Sequence, residues 1–504
     1  MEASESPHEP PPSAAGQPNG DSASVPGAAP ASEPAVPPMP ATPLSWRVFI
    51  GAAIAATAAI AYVARDIIGL RGQSLVGIFF FFGLVAMFSA NLRAVNWRTI
   101  GWGIALQAIL AVLVLQGRVT IGGTEYSVYR SFERAGDAVQ TFIKCSEEGS
   151  KFVFGALADT DAMGKTFGAK WAFVFAFRAL PPILFVSAFF TVLYHFGILQ
   201  FFVRLMARVM SHLMRTSGAE TLSVSANVFM GQTEAPLIIK PYVPRMTNSE
   251  LFVLMASGMA HISGALMAVY ISYGANPVAV ITTCVMACPC SLYLSKLFMP
   301  ETSRTETGGS SKTAKMKSPY VNAVDAAASG TTDGLHLALN VAAMLIVFIA
   351  FVALFNAALG LIPTHWLAER TGLDLPENLS LVWIFGKLFS PVAFLMGVDS
   401  ADQAKVGTLL GYKLSINEHV AYLTMKDWKS IPNYMSPRSY QLAAYALTGF
   451  ANFSSVGIQL GGIGAIAPDR RHDLARLGMK ALFVGFVATL LNASVAGLFS
   501  DLSQ

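Results

Sequence analysis

The chain has 504 residues, 54% of them hydrophobic and 13% charged, with a formal net charge of +4. A soluble domain carries about 25% charged residues, so this balance excludes an ordinary soluble enzyme, and so small a net charge gives no reason to expect nucleic acid as a partner. Its four cysteines provide no disulfide framework.

Residues 1–45 are rich in Pro, Ala, Ser and Gly and contain no Lys or Arg before Arg47. Such a segment cannot bury enough apolar surface to offset its ordering entropy and is expected to be a disordered, solvated tail. It lacks the basic start and short apolar core of a signal peptide. Beyond it the apolar residues come in blocks. A spanning helix takes about 20 mostly apolar residues, and candidate spans lie near 48–65, 74–90, 100–115, 170–194, 251–272, 276–298, 335–362 and 476–498, with a ninth, 439–468, interrupted by Ala451-Asn452-Phe453-Ser454-Ser455. Polar stretches fill 117–169 and 299–334. Tyr129 to Phe154 and residues 196–214 read as amphipathic helices lying at the membrane interface.

Two regions depart from this pattern. At 221–245 two short apolar runs flank Gly231-Gln232-Thr233-Glu234, and at 381–424 Leu381 to Val398 is followed by a second half carrying Asn417-Glu418. Polar backbone at membrane depth survives only where protein or a water-filled cavity covers it. Interrupted segments in corresponding halves point to a transporter of inverted repeats, its site between re-entrant hairpins. The expected fold is therefore an all-α integral membrane protein of about nine transmembrane helices plus two re-entrant hairpins. The basic loops at 91–99, 299–334 and Arg470-Arg471 place the N-terminus in the cytoplasm, although the basic stretch 117–169 then falls outside.

Carboxylates within these breaks carry the chemistry. Glu234 and Glu418 sit in apolar hairpins, where a central charge costs about 2.5–3.5 kcal/mol; such groups face a partner, an ion or a hydrated solute. Capping of a broken helix, or pairing with Lys240 or Lys413, is the structural alternative. Gln232, Thr233, Asn417, Asn452, Ser454 and Ser455 gather amides and hydroxyls at the same breaks. Amides suit the edge of a heterocyclic base and carboxylates accept from vicinal hydroxyls, so a neutral polyhydroxylated solute fits and an anion does not.

Three stretches carry a resemblance. Gly231-Gln232-Thr233-Glu234-Ala235-Pro236-Leu237-Ile238-Ile239-Lys240-Pro241-Tyr242, Lys413-Leu414-Ser415-Ile416-Asn417-Glu418-His419-Val420-Ala421-Tyr422, and Gly449-Phe450-Ala451-Asn452-Phe453-Ser454-Ser455-Val456-Gly457-Ile458 closely resemble motifs of the concentrative nucleoside transporters. The likeness runs over about residues 74–498. It implies an ion-coupled importer of nucleosides that forms a homotrimer in the plasma (inner) membrane, in which a mobile transport domain moves against a scaffold with elevator-like alternating access. The corresponding division is a tail (1–45), an extra transmembrane helix (46–73), scaffold and interfacial helices (74–215), the first hairpin and transport helices (216–300), a polar loop and scaffold helix (301–365), and the second hairpin, unwound helix and last helix (366–504).

By the same resemblance Gln232 and Thr233 address the base, Glu234 reaches the same end through water, and Leu266 lies against the base. Glu418, Asn452 and Ser455 match ribose contacts, and Phe450 an aromatic near sugar and base. The Gly231-Gln232 pair resembles members accepting both purine and pyrimidine nucleosides. Asn227, Met230 and Ile262 match donors of a sodium site, but His261 stands where the family has Ser or Thr. Imidazole nitrogen is a poor ligand for a hard cation and a good proton carrier near neutral pH. The coupling ion is thus H+ through His261, or Na+ with a neutral His261; no organic cofactor is implied. A channel or sensor of the same fold, binding nucleosides without active coupling, is the alternative.

Other signals lead nowhere further. Cys288-Pro289-Cys290 resembles the metal helix of heavy-metal pumps, but no ATP-hydrolysing domain accompanies it. Gly457 to Gly464 lacks the strand–helix context of a dinucleotide loop. Arg178, inside an apolar block, is expected to pair internally or snorkel. No catalytic triad spacing is present, so an enzyme is not expected.

Overall fold

The computed structural model describes residues 41–500, apart from 122–123, 169–173, 179, 309–317 and 372–374. The expected tail lies almost wholly outside the described residues. α1 (Leu44–Val63) folds back on α2 (Arg65–Met87) through a kink at which Gly69 takes φ +62. α3 (Trp97–Gln116), capped by Asn96, leads into a short antiparallel ladder of β1 (Arg118–Ile121) and β2 (Thr124–Ser127). That ladder holds the only strands among the described residues. α4 (Val128–Phe154) and α5 (Thr160–Phe167) follow, then α6 (Phe175–Arg178) and α7 (Pro181–His195), whose combined stretch Phe175–His195 is the span expected near 170–194. Arg178 is paired internally, donating to the Ala158 carbonyl at 2.9 Å and to Glu147 at 3.3 Å.

α8 (Ile198–Met214) buries Leu199, Val203, Ala207, Met210 and Met214 and exposes Phe201, Phe202 and Leu205, the one-sided pattern expected there. A first hairpin follows, α9 (Gly218–Ala226) and α10 (Ala235–Ile238), and then a broken helix, α11 (Asn248–Ala260) and α12 (Gly264–Ser272), and the unbroken α13 (Pro277–Phe298). The second half repeats this order. α14 (Ala323–Leu359) and α15 (Thr364–Thr371) precede α16 (Leu381–Leu395). The second hairpin is α17 (Gln403–Ser415) and α18 (Glu418–Lys429), the second broken helix is α19 (Pro437–Leu447) and α20 (Phe453–Ile466), and α21 (Arg471–Phe499) closes the chain.

Two expected boundaries need correction. The stretch 381–398 is not an arm of the second hairpin: α16 is a separate helix, and the arms are α17 and α18, which meet at Ile416-Asn417. The apolar run ends at Gly397, whose φ of +78 turns the chain, and any Cβ there would strike Ser74. Lys405 and Lys413 interrupt the hydropathy of α17, so the sequence does not mark it as an arm; Lys413 is nevertheless buried, donating to the Ala446 carbonyl and Thr489 Oγ1, each at 2.7 Å. The polar loop is likewise shorter than expected, since α14 already begins at Ala323. Its first turns pack on α7 through Gly330 and Gly334, where a Cβ would lie 2.8 Å from Ala188 Cα and from Leu184 Cα. Small residues four apart let two membrane helices approach this closely.

Seven helical stretches among the described residues are long and apolar enough to span a bilayer. They differ in environment: 94% of the most apolar window of α11–α12 is buried within the protein, against 6% for α1. The breaks lie in the buried part. α11 starts at a capping box of Thr247 and Glu250, and the chain runs extended through His261 before Ser263 caps α12. α19 stops before Gly449, whose φ of +155 and whose approach to Met259 and Thr489 leave no room for a side chain. The Phe450 N–H then donates to the His261 carbonyl at 3.0 Å, so the two interruptions satisfy each other.

Candidate functional site

Three helices begin around one point, each behind a polar cap: α12 behind Ser263, α18 behind Asn417 and α20 behind Asn452. Asn417 accepts from the Val420 N–H at 3.0 Å, which leaves Glu418 in the first turn of α18, where the helix dipole favours a carboxylate. Glu418 Oε1 accepts from the Tyr270 hydroxyl and Oε2 from Asn452 Nδ2, both at 2.9 Å. Asn452 in turn accepts from the Ser455 N–H at 2.9 Å and the Ser454 hydroxyl at 2.7 Å. The chain of bonds continues through Ser455 Oγ, which accepts from Gln232 Nε2 at 3.1 Å, while Gln232 Oε1 accepts from Gln459 at 3.1 Å. One connected polar path therefore links the tip of each hairpin to the unwound part of the second broken helix. It has an amide end at Gln232 and a carboxylate end at Glu418.

Leu266 is buried in the first turn of α12, and Phe450, half-buried, follows the Gly449 break. Thr233 packs on Gly462 of α20, where a Cβ would come within 2.6 Å of its Cγ2. Glu234 stands apart from the bonded path. Its Oε2 accepts from the Gly231 N–H at 3.0 Å, and its side chain lines an adjacent cavity of about 460 Å³, together with Met230, Ser263, Phe190, Tyr194 and Asp333. Lys413 makes no ion pair with Glu418 among the described residues, which removes one structural explanation for that carboxylate.

On the other side of the α11–α12 break lies a second polar group. Asn227 Nδ2 donates to Ser257 Oγ at 3.0 Å, whereas its Oδ1, also buried, has no hydrogen-bond partner among the described residues. His261 Nδ1 lies 2.7 Å from the Ser257 carbonyl, and its Nε2 is 3.4 Å from Cys288 Sγ. A carbonyl only accepts, so Nδ1 carries a hydrogen, while Nε2 faces the Cys288 thiol. An orphaned amide oxygen next to a backbone break is the kind of hard donor a sodium ion takes up. Cys288 faces His261 and the Val224 carbonyl, while Cys290 faces Tyr293 and the Ala488 carbonyl; the two thiols have different neighbours and do not form a common site.

Comparison with known proteins fits this geometry. Residues 76–157 match the family model described as Na+ dependent nucleoside transporter N-terminus, 176–277 the one described as Nucleoside recognition, and 279–497 the one described as Na+ dependent nucleoside transporter C-terminus. An uncharacterized transporter of Haemophilus influenzae is 37% identical over 436 residues, which cover 85% of this chain and 98% of that protein. The chain belongs to the concentrative nucleoside transporter family. Sodium/nucleoside cotransporter 1 of Rattus norvegicus is 38% identical over 437 residues, 84% of this chain; the chain spans 63% of the length of that curated relative. Among solved structures, CNTnw in an inward-facing substrate-bound state aligns at a TM-score of 0.76 and 35% identity, covering 85% of this chain and 99% of the other. A doubly substituted CNTnw in an outward-facing state aligns equally well, at 0.76 and 34% identity, covering 85% and 98%.

The chain is thus a multi-pass membrane protein of a family of transporters. Of the residues singled out by sequence, Gln232, Asn452, Ser455 and Glu418 join one hydrogen-bonded path, and Asn227 and His261 are both bonded to Ser257. Tyr270, Gln459 and Ser257 join these groups without being singled out by sequence, and Cys288, set aside there as part of a metal motif, faces His261. Gln459 had a signal, since it is an amide inside an apolar helix; Tyr270 had none, because a tyrosine in a span reads as ordinary packing. Gln232→Met removes both the acceptor for Gln459 and the donor to Ser455. It is expected to change the purine-to-pyrimidine uptake ratio by about fivefold, the worth of one neutral hydrogen bond to the base. Competition between labelled uridine and adenosine at matched protein level measures this, and an unchanged ratio counts against contact with the base.

Proposed function

We propose that the protein is a sodium-coupled importer of nucleosides that works by alternating access as a homotrimer in the plasma (inner) membrane, with its N-terminus cytoplasmic. The observation that carries the reading is the path from Gln232 to Glu418, which offers an amide edge to a base at one end and a charged acceptor to ribose hydroxyls at the other. In this reading Gln232, Thr233, Glu234 and Leu266 serve the base, and Glu418, Asn452, Ser455 and Phe450 serve the sugar. Both purine and pyrimidine nucleosides are accepted, because amide groups bond the edges of either. The names of the curated relatives support sodium, as does the unpartnered Asn227 Oδ1, with the Met230 and Ile262 carbonyls as further donors. The basic residues Arg93, Arg98, Arg470 and Arg471 fit a cytoplasmic N-terminus.

One charge moved through about 100 mV supplies about 2.3 kcal/mol, enough for a nucleoside gradient of roughly 50-fold. A second reading rests on His261, whose position beside Asn227 and Ser257 would let a proton replace the ion. Uptake of labelled uridine and adenosine into proteoliposomes, with sodium and pH gradients imposed separately, decides between them. Accumulation above equilibrium driven by sodium alone is expected. Accumulation driven only by the pH gradient would assign coupling to a proton, and equilibration without accumulation would make the protein a channel or sensor.

A further inference from the structure

We infer that a cavity between the first helix and the last binds the headgroup of an anionic phospholipid. The cavity, about 450 Å³, lies where α1 begins, against the end of α2, the end of α13 and the middle of α21. Two cations line it, Arg47 and Lys480, and no acid does; its remaining wall is apolar, chiefly Phe88, Phe298, Met479 and Phe483. A pocket with two uncompensated positive charges attracts an anion.

The cations have donors to spare. Arg47 donates one Nη2 bond to the Ser89 carbonyl at 3.2 Å, but its Nε is buried with no hydrogen-bond partner in the described structure. A buried guanidinium donor left unbonded is costly and is a place for an acceptor oxygen. Lys480 is exposed and has no hydrogen bond or ion pair among the described residues. The floor is held before any ligand arrives. Thr42 Oγ1 donates to the Ser89 carbonyl and accepts from the Leu92 N–H, both at 3.0 Å. Ser89 Oγ donates to the Leu297 carbonyl at 2.6 Å and the Ala90 N–H to the Phe298 carbonyl at 2.8 Å.

The walls identify the occupant. Phe483 stacks edge-on to Phe88 at 5.5 Å and lies 6.1 Å from Phe298, which makes an aromatic shelf beside the cations. Phe88 is 46% and Met479 55% exposed, so the lip of the cavity is apolar where helices of this length face lipid tails. Soluble phosphate has no use for such a lip. A phosphatidylcholine headgroup brings its own cation next to two others. An anionic phospholipid satisfies both parts, with the phosphate between Arg47 and Lys480 and an acyl chain along the shelf. Of the residues lining the cavity, Arg47 alone precedes residue 76, where the family models begin to match.

The test is native mass spectrometry of the full-length protein released from nanodiscs containing equal phosphatidylglycerol and phosphatidylcholine. Selective retention of phosphatidylglycerol is expected. Lys480→Gln, at an exposed and unpartnered position that tolerates substitution, should reduce it about fivefold, and Lys480→Arg should restore it. Arg47→Gln, read the same way on protein that remains monodisperse, should reduce it as well. Equal retention of the two lipids, or equal retention of phosphatidylglycerol by the wild type and Lys480→Gln, overturns the proposal. Displacement of the lipid by millimolar inorganic phosphate would overturn it too, by assigning the pocket to a soluble anion.

Discussion

Glu418→Gln should lower nucleoside uptake by about 100-fold or more, since hydrogen bonds to a charged group are worth about 1.5–3 kcal/mol each and two are at stake. The carboxylate accepts at both oxygens, from Tyr270 and from Asn452. A glutamine keeps the shape but turns one acceptor into a donor, which then faces the donating Tyr270 hydroxyl or Asn452 amide. Under the proposed ribose role, the weakened acceptor would also hold sugar hydroxyls less strongly. Tyr270→Phe removes one partner and leaves the charge, so a smaller loss of about tenfold is expected. Initial rates of labelled-uridine uptake, normalised to protein in the membrane, measure both. Near-normal transport by Glu418→Gln would refute the ribose role, and a Tyr270→Phe defect as severe as that of Glu418→Gln would show that packing, not charge, is at stake.

The second large effect is on stability. Lys296, at the end of α13, is buried and pairs with Glu220 at 2.8 Å and Glu301 at 3.3 Å, and it donates to Ser249 at 3.0 Å. Glu220 also accepts from the Ser217 N–H at 2.8 Å in the capping box that starts α9, and Thr247, which caps α11, donates to Glu301 at 2.8 Å. One ammonium thus ties the first hairpin, the first broken helix and α13 into a single unit. Lys296→Met leaves two carboxylates facing each other without a cation and should cost about 3–5 kcal/mol. Adding Glu220→Gln removes the unpaired buried charge while keeping the capping acceptor, so the double variant should recover most of the loss. Thermal denaturation of detergent-solubilised protein, followed by size-exclusion chromatography, reads the cycle. A double variant no more stable than Lys296→Met would mean that the lysine acts through packing alone.

The Lys296 cluster could not be assembled from sequence. Glu220 is the third residue of α9 and Lys296 the third from the end of α13, 76 positions apart in the numbering, and only folding brings them to 2.8 Å. Glu234 and Glu418 were legible for the opposite reason: a charge in an apolar run needs an explanation wherever it is found. The misreading of the second hairpin has the same origin. Hydropathy ranked 381–398 above 403–415, because it scores Lys413 as polar and cannot know that the Ala446 carbonyl and Thr489 receive its hydrogens.

What the sequence by itself determined was the membrane class, the family, the hairpin tips at 231–234 and 417–418, the break at 451–455, and the polar residues left there. Each of these follows from residue type along the chain, because a broken helix in lipid must be marked locally by Gly, Pro, amide or acid. Only the tertiary structure decided which polar groups meet, that Tyr270 and Gln459 complete the path, and which apolar helices face protein and which face lipid. The interior of a membrane protein is no more apolar than the lipid around it, so α1 and α11–α12 look alike in composition while 6% and 94% of their spans are buried. The scarcity of charge marked the chain as a membrane protein; the pairing of its few buried charges required the fold.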